Sequence, residues 1–217
     1  MLGIYVTVPV ACFRKGMARE YLETEPIPPP ATCYGFLLSL VGETQRRRHI
    51  GSRVTPVIIS KPLVSVVLRT VWRVKKTPLG SSGNTRPDYQ QLLTGVELLI
   101  WLDSSDEQPA DGPTLEQRVA AALDNPAGVS RFGGLCLGES THLVDEVSPL
   151  YRVQDRFDAR TGRAFLLAPK GRLTLPVWVD HVGSSGTRYV TGDLIERPLA
   201  TAPELSELPC ILSEYPP

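Results

Sequence analysis

The order of strand-like and helix-like segments limits the folds that this chain can adopt. Short runs rich in valine, isoleucine and tyrosine predict strands, whereas apolar residues three and four positions apart predict helices. By these criteria, strands are predicted at 2–13, 53–60, 63–76, 96–102 and 142–147, and helices at 31–43 and from 114 to about 125. The order is therefore strand, helix, strand, inserted hairpin, strand, helix, strand.

This order predicts an α+β fold with the ferredoxin-like, RRM-like β-α-β-β-α-β core that RNA-recognition domains share. The glycine, serine and asparagine residues at 80–84 predict a flexible tip, so a basic β-hairpin thumb is expected as an insertion over about 62–94. We predict that this ferredoxin-like domain spans 1–148. The remaining residues, 149–217, are predicted to form a small β-rich extension and an extended, proline-rich tail.

The run 63–76 alternates with a period of two residues. Arginine, valine, arginine and lysine occupy 69, 71, 73 and 75, whereas leucine, threonine, tryptophan and valine occupy 68, 70, 72 and 74. Because successive side chains of a strand point to opposite faces, one face is predicted to be basic and the other to pack mainly against the protein. Trp72 could stack on a base, but the apolar residues on its face favour a place in the core.

Charge is distributed unevenly along a chain whose net charge is zero. Residues 1–100 contain 13 lysines and arginines and 6 acidic residues, whereas residues 101–217 contain 10 and 17. The window from Thr44 to Tyr89 contains ten cationic residues and one acidic residue, Asp88. A basic block beside an acidic remainder favours one surface for a polyanion and another for protein neighbours. A solvated charged face is the alternative that charge alone leaves open.

Several classes of protein are disfavoured by what the sequence lacks. The four cysteines form no CxxC pair and have no histidine at ligand spacing, so neither a metal nor another cofactor is expected. There is no run of about 18 apolar residues, and no basic stretch precedes the apolar N-terminal segment. We therefore expect a cytoplasmic protein with no membrane partner.

Three motifs, in this order along the chain, resemble the fifth CRISPR-associated protein family of type I Cascade complexes, which belongs to a superfamily of repeat-associated RNA-binding proteins. The first is Phe13-Arg14 followed by the proline-rich approach from Thr24 to Tyr34-Gly35. The second is the basic region from Val66 to Lys76 with Asn84-Thr85-Arg86-Pro87. The third is the glycine-rich segment from Arg131 to Ser140. The resemblance covers about residues 1–150 and is nearest to a type I-B-like branch.

The resemblance implies a non-catalytic subunit that binds the 5′ handle of the CRISPR guide RNA and caps one end of the backbone filament. Its partners would be the guide RNA, a backbone subunit of the seventh family, a large subunit of the eighth family and, in the assembled complex, target DNA. Guide pairing would then select the target. Two alternatives stay open: a protein-only assembly subunit, and a metal-independent endoribonuclease that processes precursor guide RNA. The residues that could supply such catalysis are Tyr34, His49, Lys75, Lys76 and Tyr89.

Candidate RNA-binding residues follow from these motifs. Glycines permit close approach of the backbone to phosphates or splayed bases, and arginines supply charge whose effect on affinity grows with the number of phosphate contacts. No catalytic or metal-binding residue is assigned. The predicted RNA-binding residues are Arg14, Tyr34, Arg46, Arg47, Arg48, His49, Arg69, Arg73, Lys75, Lys76, Arg86, Arg131, Gly133, Gly134, Gly138 and Ser140.

Overall fold

A nine-stranded sheet organises the computed structural model, which describes residues 1–16, 18, 21–72, 80–107, 112–157, 159–182 and 184–212. The strands are β1 (Leu2–Ala11), β2 (Tyr21–Leu22), β3 (Arg53–Ile58), β4 (Leu63–Trp72), β5 (Thr85–Asp103), β6 (Glu146–Pro149), β7 (Thr161–Leu167), β8 (Leu173–Trp178) and β9 (Arg188–Pro198). The helices are α1 (Pro30–Leu40), α2 (Leu115–Asp124) and α3 (Leu150–Val153). The prediction of a mixed chain of helices and strands is confirmed.

Antiparallel pairing holds the centre of the sheet together. In the order β6-β1-β5-β3, each strand runs antiparallel to its neighbour, and the β1–β5 register extends from Leu2 opposite Leu102 to Ala11 opposite Leu93. In chain order these strands alternate with the two longer helices as β1-α1-β3-β5-α2-β6. The two strands that flank each helix in sequence are therefore separated in the sheet by one other strand: β5 lies between β1 and β3, and β1 lies between β5 and β6.

Helices α1 and α2 cover one face of the sheet because their apolar residues lie on one side. Prolines 28–30 fix the approach to α1, which begins at Pro30 because proline is accepted in a first helical turn. Helix α2 has the predicted capping box: the Thr114 hydroxyl accepts from the Gln117 N–H, and the Gln117 side chain accepts from the Thr114 N–H. A second apolar cluster, which includes Trp101, Leu150 and Phe157, covers the opposite face under α3.

The chain after Pro149 continues the same sheet. Strand β7 pairs with β3 at Val57–Ala164, β9 pairs with β7, and β8 forms the edge of the sheet. Residues 209–211 then lie along β3, where the Val54 N–H donates to Pro209 and the Ile211 N–H donates to Ser52. Within the described residues, no helix is long and apolar enough to cross a membrane.

Strand β4 and residues 85–94 of β5 form a β-ribbon, called the ribbon below, and the short strand β2 pairs with the β5 edge of the ribbon at Tyr89 and Gln90. One face of the ribbon carries Val64, Val66, Leu68, Trp72 and Tyr89, and the exposed fractions of these side chains range from 49% to 63%. The prediction that Leu68 and Trp72 pack against the protein is wrong. The ribbon extends beyond the core of the sheet, where Tyr21 of β2 lies beside Tyr89 but no described element covers this face. Period-two alternation cannot tell a buried face from an uncovered one.

Gly95 lies where β5 passes from the ribbon into the core of the sheet, and its φ of +73° is a left-handed conformation. A Cβ at this position would have no atom within 4 Å, so a substitution costs only backbone energy. We expect Gly95→Ala to lower the free energy of unfolding by about 1–2 kcal/mol in urea titrations. Gly80→Ala, which also has open space but no positive φ, should change it by less than about 0.5 kcal/mol. Equal effects of the two substitutions would contradict this explanation.

Candidate nucleic-acid interface

Three adjoining cavities form a groove along the exposed side of α1, called the α1 groove below. All three share Arg46 and His181 in their linings. The glycine-rich segment, with Arg131, Phe132 and Gly138, forms one wall. The other wall combines residues 45–47 with residues 178–182, and there the largest of the cavities has a volume of about 670 Å³. The groove therefore joins the N-terminal core to the C-terminal strands.

The floor of the groove is bare because Gly35 faces it. This glycine lies inside α1 and is exposed, and an added Cβ would meet no atom within 4 Å. Glycine inside a helix lowers helix stability by about 1 kcal/mol relative to alanine. At this position it also leaves the space above the helix open. A ligand can approach the helix backbone closely at this point.

Arg46 fixes the wall opposite the glycine-rich segment. Its guanidinium lies 4.5 Å from the centre of the Trp178 ring and donates to the Val179 carbonyl at 2.9 Å. The Arg46 carbonyl accepts from the buried Tyr34 hydroxyl at 2.7 Å, and burial raises the pKa of Tyr34. These contacts use the charge and the main chain of Arg46 to hold the wall, whereas the adjacent Arg47 is exposed in the groove.

The next two residues of the predicted basic cluster turn inward. Arg48 pairs with Glu43, and His49 is buried between Glu107 and Arg118, with its Nδ1 2.5 Å from Glu107 Oε1. Because Arg118 donates to His49 Nε2 at 2.9 Å, the Nδ1 atom carries the proton and donates to Glu107. His49 therefore presents neither ring nitrogen to the groove.

The carboxylates near the groove are also bound within the protein. Glu43 accepts from Arg118, from Arg48 and from the Gln45 N–H; although burial raises its pKa, these contacts outweigh burial and hold it at about 2. Asp180 accepts from the N–H groups of Val182 and Gly186. Both carboxylates are thus hydrogen-bonded within the protein, whereas Arg47 and Arg131 are exposed in the groove. This distribution of charge favours binding of an anion.

The glycine-rich segment is a tight turn held by His142. The buried His142 ring accepts at Nδ1 from the N–H groups of Cys12 and Glu139, each at 3.2 Å. Gly138 has a φ of +101°, and a Cβ there would lie 2.7 Å from the Cys12 carbonyl oxygen. Gly133 also has a positive φ, whereas Gly134 does not. Glycine is therefore required at 138 by both conformation and space.

The other predicted site residues lie away from the α1 groove. Arg69 and Arg86 lie on the ribbon, where they pair with Glu139 and Asp88. Arg14 is exposed and pairs through its backbone with Thr24, and Ser140 is exposed in the glycine-rich turn. Arg73, Lys75 and Lys76 lie outside the described residues. The structure thus brings together Tyr34, Arg46, Arg47, Arg131 and Gly138 from the predicted set.

Sequence reasoning missed the C-terminal wall and Phe132. Trp178, Val179 and His181 line the groove although they lie more than 130 residues from Arg46 in sequence. No local pattern encodes a contact at that separation, because it arises only when β8 joins the sheet. Phe132 is fully exposed at the groove, and the signal available in the sequence is an aromatic residue beside Arg131 within a glycine-rich segment.

Comparison with solved structures first defines the class of fold. The chain superposes on a chain of a CRISPR RNA-guided surveillance complex with a TM-score of 0.57 and 14% identity, covering 90% of this chain and 89% of that chain. It also superposes on a Cas protein solved by crystallography, with a TM-score of 0.50 and 16% identity, covering 94% and 98%. The fold is thus one found in CRISPR-associated proteins.

A curated sequence relative identifies the family. The CRISPR-associated protein Cas5 of Myxococcus xanthus (strain DK1622) is 51% identical over 213 residues, which cover 97% of both chains. A scan against models of protein families finds no match. At this identity and coverage, the chain belongs to the Cas5 family of CRISPR-associated proteins. The resemblance drawn from the three sequence motifs is confirmed.

The role of His142 as an acceptor predicts a pH dependence of stability. Burial, opposed by Glu139 and assisted by Arg69, lowers the pKa of His142 below 6.5. Its contribution to the free energy of unfolding is therefore complete above pH 6.5 and is lost as pH falls through the lowered pKa, by at most about 1.4 kcal/mol per pH unit. Urea titrations between pH 7.5 and pH 5 should show this loss.

The matched control is His142→Asn, whose side-chain oxygen can accept the same bonds but does not titrate. Between pH 7.5 and pH 5 this variant should lose less stability than the unsubstituted protein. Parallel pH profiles for the two proteins would show that the His142 acceptor does not hold the turn.

Proposed function

We propose that this chain is a subunit of a Cascade-type CRISPR complex that binds the 5′ handle of the guide RNA in the α1 groove and caps one end of the backbone filament. The observation that carries this proposal is the groove itself, with exposed arginines on both walls and a bare helix backbone at its floor. Family membership and the fold shared with a chain of a surveillance complex support the same assignment.

The groove provides the three contacts that single-stranded RNA requires. Arg47 lines one wall and Arg131 lines the other, and both would bind phosphates. Phe132 would stack on a base, since aromatic rings bind unpaired bases without regard to sequence. Gly35 leaves room for the sugar–phosphate backbone close to the main chain of α1.

We also propose that the chain has a ferredoxin-like core with an inserted thumb. We assign β1-α1-β3-β5-α2-β6 to that core, because its strand order and pairing are those of a split β-α-β unit. The ribbon corresponds to the thumb. Its uncovered apolar face would pack against the first backbone subunit, since such faces mark contacts between proteins. Acidic residues of the C-terminal half would contact the large subunit.

The subunit is proposed to bind RNA without cutting it. Two of the residues considered for catalysis, Tyr34 and His49, are 2% and 1% exposed, and the hydroxyl and ring nitrogens bond within the protein. Tyr89 lies on the apolar face of the ribbon, away from both. These positions support a binding role, because a general base must reach the ribose hydroxyl that it deprotonates. Incubating the purified protein with repeat RNA in EDTA tests this: the RNA should stay whole.

The RNA-binding role predicts a charge-specific loss of affinity. RNA that co-purifies with the protein would first be sequenced, and a labelled oligonucleotide of that sequence would then be titrated at several salt concentrations. Replacing Arg47 and Arg131 together by alanine should weaken binding by at least about tenfold at low salt. It should also reduce the slope of log affinity against log salt by about 1.4, since each phosphate contact on a single strand contributes about 0.7.

The matched control replaces Lys170 and Arg172, two exposed cations beyond the end of β7, by alanine. Its net charge changes by the same amount, so it measures any long-range effect of charge. The control should retain the salt slope of the unsubstituted protein. An equal loss in both double variants, or no salt-dependent RNA binding at all, would contradict the proposal and favour a protein-only subunit.

The ribbon predicts a separate effect on assembly. Leu68→Asp places a charge in the middle of the exposed apolar face and should weaken co-purification with the backbone subunit by about thirtyfold, the typical effect at the centre of a protein interface. Thr174→Asp, at an exposed position of β8, is the control and should assemble normally. Normal assembly of the Leu68 variant would exclude this face as the contact.

A further inference from the structure

Glu139, in the glycine-rich turn, contacts both strands of the ribbon. Its Oε2 atom lies 3.2 Å from Nη1 of Arg69 on β4, and its Oε1 atom accepts from Nε2 of Gln90 on β5 at 3.0 Å. In the ribbon register, Arg69 lies opposite Asp88 and Gln90 lies opposite Val67, so both side chains belong to the face opposite Leu68. One carboxylate thus joins the ribbon to the turn.

The turn leaves Glu139 little freedom of its own. Its N–H donates to His142 Nδ1, its carbonyl accepts from the His142 N–H at 2.9 Å, and the preceding Gly138 lies against the Cys12 carbonyl. Gln90 is 1% exposed, so its amide is fixed in the root of the ribbon. Displacement of either element therefore breaks the contacts of the carboxylate.

We propose that Glu139 is a positioning residue that sets the ribbon relative to the glycine-rich turn before RNA arrives. The inference depends on the proposed function, since the turn forms one wall of the α1 groove. It also revises the role of Arg69, which was predicted to bind phosphate: its guanidinium is instead held by Glu139. A partly exposed ion pair such as this one contributes little stability, so we expect its effect on RNA binding to come from the geometry that it fixes.

Two substitutions that change the net charge in opposite directions can distinguish a positioning role from simple attraction to RNA phosphates. Glu139→Ala raises the net charge by one, and Arg69→Ala lowers it by one. If the two residues acted only through attraction to phosphates, the first variant would bind RNA more tightly and the second more weakly. If they position the ribbon, both variants bind more weakly, by about five- to tenfold, and the double variant binds no worse than either single one.

A charge exchange completes the experiment. The variant Arg69→Glu with Glu139→Arg keeps the net charge and restores the ion pair with its polarity reversed, and Gln90 can rotate its amide to present oxygen. Titrated with the co-purifying RNA, it should bind within about threefold of the unsubstituted protein, whereas Arg69→Glu alone binds at least about tenfold more weakly. Tighter binding by Glu139→Ala, or failure of the exchange to restore binding, would overturn the proposal.

A second measurement needs no RNA and separates this inference from the proposed function. Hydrogen–deuterium exchange of the RNA-free protein should show faster exchange at 136–143 in Arg69→Ala and faster exchange at 85–92 in Glu139→Ala. Lys170→Ala should leave both regions unchanged. Unchanged exchange in the first two variants would refute the positioning role even if RNA binds, whereas the expected exchange without RNA binding would refute only the proposed function.

Discussion

The stacking of Arg46 on Trp178 is the contact on which the candidate site depends. It joins the loop after α1 to the end of β8, and the hydrogen bonds to Val179 and from Tyr34 fix the arginine on both sides. Without it, the C-terminal strands would still extend the sheet through β7, but the α1 groove would lack its second wall. Cation–π contacts of this kind stabilise by about 0.5–2 kcal/mol, depending on desolvation.

The basic loop illustrates how neighbouring residues of one charge acquire different roles. Arg46 holds a wall, Arg47 faces the groove, and Arg48 and His49 enter a buried network with Glu43 and Glu107. That network also reaches α2, because Glu107 accepts from the Leu115 N–H. Part of the positive charge therefore stabilises the loop so that the remainder can be presented in a fixed geometry.

Local patterns predicted much of the fold and part of the site. Prolines 28–30 and the Thr114 capping box located both main helices, and the motif residues Arg131 and Gly138 do line the groove. The remaining features arise from long-range contacts. They depend on which elements become neighbours in the fold. These features are the burial of His49, the pairing of Arg69 with Glu139, the exposure of Trp72 and the approach of Trp178 to Arg46. Charge and periodicity carry no information about those neighbours.

The proposed function requires that the α1 groove hold the 5′ end of the guide RNA. Cryo-electron microscopy of the complex assembled with this subunit tests it most directly. We expect RNA density above Gly35, with phosphates within hydrogen-bonding distance of Arg47 and Arg131 and a base against Phe132. A groove that is empty, or filled by another protein subunit while the RNA lies elsewhere, would contradict it.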